Sequence, residues 1–123
     1  MKKILLIEDN LHIRENATEL LELAGYEVIS AANGMIGVQL AKSELPDIIL
    51  SDVMMPVLDG HGVFAELKKD ETTKNIPFVF VTSSVEKKEM ESATNKGADG
   101  YIKKPFDEED LYSTIEKILK GEK

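Results

Sequence analysis

The chain is 123 residues long, 42% hydrophobic, free of cysteine and formally charged −8 at pH 7. That length encloses one hydrophobic core and leaves no room for a second functional domain, so residues 1–123 are expected to form a single domain. The acidic balance repels phosphate backbones and anionic membrane surfaces, which argues against direct nucleic-acid or membrane binding, and the lack of cysteine excludes disulfides and thiolate metal sites.

KILLI (3–7) reads as the first strand. It is far shorter than the ~20 apolar residues of a membrane span, and nothing in it has the form of a secretory signal, so the cytoplasm is the expected location. Ile13, Ala17, Leu20 and Ala24 then repeat at spacings of 4, 3 and 4, a helical stripe with Gly25 as its stop. YEVIS (26–30) is the second strand, and Asn33 caps the second helix. DIIL (47–50) is the third strand, and Asp59 caps a third helix that turns Val63, Phe64 and Leu67 inward.

PFVFV (77–81) is the fourth strand, and Ser83 and Glu86 have the spacing of a capping box for a fourth helix. That helix, VEKKEMESATNKG, offers only Val85, Met90 and Ala93 to a core, so it is expected to be the least firmly held and mobile. GYI (100–102) is the fifth strand. Asp107 begins the fifth helix, with Phe106 and Leu111 as a hydrophobic staple and Leu111, Ile115 and Ile118 as its buried stripe.

KILLI, DIIL and FVFV are almost continuously apolar, the pattern of strands covered on both faces. With alternating strands and helices and right-handed crossovers, the expectation is an α/β fold with a five-stranded parallel sheet between two helical layers. Ligands of such open sheets bind beyond the carboxyl ends of the strands. At those ends stand Glu8 and Asp9, Asp52, Thr82 and Ser83, and Lys104.

Crowded carboxylates raise one another's pKa and stay ionised only if a cation compensates them. Mg2+, or Mn2+ in its place, suits an all-oxygen set. Asp9 and Asp52 can bind it directly, the Met54 backbone carbonyl can supply a third ligand, and Glu8 can act through water. Asp52 could then attack a phosphoryl group while Lys104 and the Thr82 hydroxyl stabilise its equatorial oxygens, giving an aspartyl phosphate.

Residue by residue, plainer roles compete. Asp52 fits a turn former and Asp9, beside Asn10, a helix cap. Thr82 fits a strand hydroxyl, Lys104 a solvated surface lysine, Tyr101 an edge aromatic, and Met54 and Met55 loop packing. The balance tips because independent strand ends each supply a group that the chemistry needs.

LLIED (5–9), SDVMMP with DG (51–60), VTS (81–83) and YIKKPF (101–106) together identify a family pattern. The sequence resembles the receiver domain of two-component response regulators, of the single-domain chemotaxis-regulator type. Thr82 follows Asp52 by 30 residues and Lys104 follows Thr82 by 22, both typical of that family. The resemblance implies a flavodoxin-like (βα)5 three-layer sandwich with strand order 2-1-3-4-5.

It further implies that Asp52 is the phosphoacceptor, that Asp9 and Glu8 form the acidic metal pocket, and that Lys104 contacts the phosphoryl group. Thr82 would be the switch hydroxyl whose movement lets the Tyr101 ring turn inward, and the Lys104–Pro105 peptide would be cis. The implied phosphodonor is a histidine kinase or a histidine phosphotransfer domain, and the implied output is a downstream protein. Self-phosphorylation and self-dephosphorylation replace turnover of a separate substrate. The chain would be a monomer or a weak dimer through the fourth and fifth predicted helices and the fifth strand.

Two positions depart from the family's habit: Glu8 stands where aspartate is common, and Ser83 where alanine or glycine is frequent. Three other readings compete with this one. A phosphatase of the haloacid dehalogenase class needs a second acid two residues after the nucleophile, where this chain has Met54. A flavodoxin would not put Glu8 and Asp9 against its phosphate. An inert receiver-like interaction module fits the fold, yet every acceptor-site group is present here. Lacking an attached output domain, the chain would bind a target, pass phosphate on in a relay, or be a piece of a hybrid protein.

Overall fold

The computed structural model describes residues 1–82, 97–104 and 107–121. The five strands are β1 (Lys3–Ile7), β2 (Glu27–Ala31), β3 (Ile48–Asp52), β4 (Phe78–Thr82) and β5 (Gly100–Lys103). Four helices fall among the described residues: α1 (Leu11–Leu23), α2 (Gly34–Glu44), α3 (Gly60–Lys69) and α4 (Glu108–Leu119), the last being the fifth of the predicted helices. The fourth predicted helix with its Ser83–Glu86 box, the Phe106 staple and the Lys104–Pro105 peptide geometry lie outside the described residues.

All strand pairs are parallel, and the order is β2-β1-β3-β4-β5. Burial follows position in the sheet. Every residue of the central strands β3 and β4 is buried, whereas the edge strands β2 and β5 are partly exposed. Because side chains alternate across a strand, the core divides in two. Leu5, Ile7, Ile49, Phe78 and Phe80 point to the layer of α2 and α3, where Ala41, Val63, Phe64 and Leu67 meet them. Ile4, Leu6, Ile48, Leu50, Val79 and Val81 point the other way, against Ala17 and Leu21 of α1 and Leu111 and Ile115 of α4.

The predicted caps are in place. Asn33 accepts from the Ile36 N–H at 2.9 Å and Asp59 from the Gly62 N–H at 2.8 Å, while Asp107 accepts from the Glu109 N–H at 2.9 Å. The stripe of α1 is corrected: Leu21 is fully buried with Ala17, whereas Ala24 is an exposed C-cap. The helix stops at Leu23 because Gly25 takes a positive φ of 95°, so Ala24 sits at the exit and not over the sheet. DIIL starts one residue early as well. The Asp47 side chain accepts from the Lys3 N–H at 2.7 Å, and the strand runs on through Ser51 to Asp52.

Since the chain passes from β1 outward to β2 and then returns to β3 on the other flank of β1, strand order reverses between β1 and β3. A crevice opens at their carboxyl ends. Among the described residues no helix is long and apolar enough to cross a membrane.

Candidate functional site

Glu8 directly follows β1, and its N–H donates to the Ala31 carbonyl at 3.0 Å, continuing the ladder by one residue. This holds its side chain inside the crevice, only 2% exposed, where one carboxylate oxygen accepts from the Asn10 N–H at 3.1 Å. Arg14 fixes the same residue from behind, its guanidinium donating to the Glu8 carbonyl at 2.8 Å. Asn10, and not Asp9, caps α1 by accepting from the Ile13 N–H at 3.0 Å. The competing cap role for Asp9 is thereby removed, and Asp9 stands exposed at the crevice mouth.

Asp52 closes β3 and is 7% exposed. Its position depends on Gly60 at the start of α3, because a Cβ there would lie 2.3 Å from the Asp52 carbonyl oxygen. Ser51 donates its hydroxyl to that same carbonyl at 3.0 Å. The intervening loop is strained. Val57 has φ 74° and the Leu58 N–H donates to the Pro56 carbonyl at 2.9 Å, a γ-turn of the rare positive-φ kind. That turn leaves the side chains of Met54 and Val57 exposed at 73% and 79%, while Met55 packs against the core. Loop packing therefore explains Met55 but not Met54.

Lys104 arrives from the end of β5, its N–H donating to the Thr82 carbonyl at 2.8 Å. It is not a solvated surface lysine: its side chain is 10% exposed, and its ammonium is ion-paired with Glu8 and, at 3.2 Å, with Asp52. Thr82 is buried at the end of β4. Tyr101 stays apart from this cluster. It is half-buried in the α2–α3 layer, in register with Phe80, with ring centroids 6.3 Å apart.

Glu8, Asp9 and Asp52 each offer one oxygen, all within 4.8 Å of one another. Burial pushes the Glu8 pKa up to about 7; the hydrogen bonds from Lys104 and Asn10 pull it back, and the Asp52 charge adds to the rise. Three carboxylates face one paired ammonium, so the cluster carries a formal excess of two negative charges. An all-oxygen set with that excess fits a hard divalent cation such as Mg2+.

The sequence missed the Lys104–Glu8 pair and the Arg14 support. Glu8 was visible as a departure from aspartate, but its pairing with Lys104 was not. Nothing in the spacing indicates Arg14.

The comparisons agree with this geometry. The family model for the response regulator receiver domain matches residues 4–116. Protein PilH of Pseudomonas aeruginosa is 38% identical over 121 residues, covering 98% of this chain and 100% of that protein. The DNA-binding dual master transcriptional regulator RpaA of a Synechocystis species is 36% identical over 120 residues, and there the match spans 50% of the relative's length. The chemotaxis protein CheY4 of Vibrio cholerae superposes with a TM-score of 0.90 at 31% identity, covering 96% of this chain and 98% of that one. The receiver domain of a sensor histidine kinase of Pseudomonas aeruginosa, which has a magnesium ion coordinated in its active-site cleft, superposes with a TM-score of 0.89 at 28% identity, covering 97% and 98% of the two chains. With the strand order, the acidic crevice and the family match in agreement, the chain belongs to the response regulator receiver domains of two-component signalling.

Proposed function

We propose that Asp52 is the phosphoacceptor of this receiver and that the described site is where the transfer occurs. One observation carries the reading: Lys104 bridges Glu8 and Asp52 at the reversal of strand order, with Asp9 beside them. An Asp52 oxygen attacks the phosphorus of a phosphohistidine; the P–N bond breaks, the imidazole leaves and takes up a proton, and an acyl phosphate forms. Lys104 turns from the carboxylates to a phosphoryl oxygen, and the Thr82 hydroxyl donates to another.

Asp9, Asp52 and the Met54 carbonyl would hold Mg2+, with Glu8 acting through water. When bound, the ion supplies charge neutralisation at the phosphoryl oxygens. Water later attacks the phosphorus, the bond between phosphorus and the Asp52 oxygen breaks, inorganic phosphate leaves and the Asp52 carboxylate is restored, so the chain modifies only itself. A histidine kinase or histidine phosphotransfer domain in the cytoplasm is the donor. The output is a protein target, bound by a single receiver domain that is a monomer or a weak dimer, through a surface that Thr82 and Tyr101 switch. The end-to-end match to PilH supports the single domain. The net charge of −8 supports a protein target over nucleic acid.

The test is intact-mass spectrometry after incubation with acetyl phosphate and Mg2+. A Mg2+-dependent phosphoryl adduct absent from Asp52→Ala is expected. No adduct on the unaltered chain would favour the inert interaction module instead.

A further inference from the structure

Arg14 is the only arginine among the fifteen basic residues of the chain, and among the described residues it pairs with no carboxylate. Its guanidinium goes instead to a backbone carbonyl, that of Glu8, at 2.8 Å. A guanidinium suits the planar fork of a carboxylate, and this chain has twenty-three acids, so a neutral acceptor calls for an explanation.

Arg14 is the fourth residue of α1, and its own N–H donates to the Asn10 carbonyl at 2.9 Å. It is therefore bonded to the chain on both sides of Asp9. The two peptide planes that flank Asp9 are each held. On one side the Glu8 carbonyl accepts from the guanidinium; on the other the Asn10 N–H donates to the Glu8 carboxylate at 3.1 Å. Only the φ and ψ of Asp9 connect those planes, so holding both sets the direction of its Cβ.

That direction matters because Asp9 has a competing use. Aspartate caps a helix as well as asparagine does, and a helix begun one residue earlier would carry the Asp9 carboxylate to the His12 N–H, away from Asp52. In the observed register Asn10 takes the cap, accepting from the Ile13 N–H at 3.0 Å. An Asp9 oxygen then stays within 4.8 Å of oxygens of Glu8 and Asp52.

We propose that Arg14 is a positioning residue of the divalent-cation site: it holds the turn between β1 and α1 so that Asp9 faces Asp52 and does not withdraw to cap α1. This rests on the phosphoacceptor reading, in which Asp9 and Asp52 hold Mg2+. The charge of Arg14 works against the role. A cation beside the cluster repels a second one, so loss of the charge alone tightens Mg2+ binding, whereas loss of the bond to Glu8 loosens it.

Titration calorimetry with Mg2+ on the metal-free full chain, on Arg14→Met and on Arg14→Lys separates these effects. Methionine and lysine nearly match arginine in helix propensity, and urea midpoints verify that both variants fold. The Kd for Mg2+ should rise roughly tenfold in Arg14→Met, the usual consequence of losing a group that orients a metal ligand. Arg14→Lys, which keeps the charge and one donor for the carbonyl, should recover part of that loss. With uptake by the unaltered chain, a Kd unchanged or tightened in Arg14→Met, or raised equally in both variants, overturns the inference and leaves the phosphoacceptor reading standing. If the unaltered chain takes up no Mg2+, both are overturned.

Discussion

Burial raises the Glu8 pKa to about 7 although Lys104 and the Asn10 N–H both favour its ionised form. In the unfolded chain this carboxyl titrates near its ordinary value of 4.5. Between these two values the folded state binds the more protons, so stability falls as pH rises through the window and levels off above it. Urea midpoints of the metal-free protein should therefore drop from about pH 5 to about pH 7.5, by the equivalent of roughly 2 kcal/mol. Glu8→Gln should flatten the profile, and an equally steep profile in that variant would contradict this. Asp70, held low by its Thr72 hydrogen bonds, and Glu116, held low by Lys120, lose their contributions only below about pH 4, outside the window.

Lys104→Ala leaves Glu8 and Asp52 facing each other without their counter-charge, and removing one partner of a buried pair typically costs about 3 kcal/mol. Mg2+ should recover part of that loss by supplying the missing charge, so equal melting with and without Mg2+ would count against the cluster electrostatics. At this scale the sequence was legible where a residue type and a strand end coincide, as at Asp52. It was not legible where side-chain reach decides, as in the choice Lys104 makes between acids.

Among the elements, helix starts were readable because a cap is a local bargain between one side chain and the N–H two or three residues on. Asn33→Ala and Asp59→Ala should each cost about 1 kcal/mol in chemical denaturation. Helix ends and loops were less readable. Ala24 satisfied the periodicity, yet Gly25 releases the chain before Ala24 can face the sheet, and Leu21 carries the contact. The β3–α3 loop hid its strain entirely, since a β-branched residue is the last expected at positive φ. Val57 is exposed, so Val57→Gly should relieve that strain at no packing loss and raise stability by about 1 kcal/mol. A lowered denaturation midpoint would show the turn to be unstrained.

For the molecule as a whole, two apolar faces on one parallel sheet determine the architecture. That pattern was legible because fully covered strands read as continuous apolar runs. The strand order was not: runs and spacings do not say on which flank of β1 the third strand lands, and only the family resemblance supplied it. The reversal of order it creates is what brings Glu8 and Asp9 of one strand end beside Asp52 of another. There the excess negative charge of the acidic cluster recruits a divalent cation, which readies Asp52 for phosphorus. Titration calorimetry with Mg2+ on the metal-free chain tests this most directly. Uptake of a single ion that is lost in Asp52→Asn and weakened in Asp9→Asn is predicted; no uptake, or uptake indifferent to both substitutions, would contradict it.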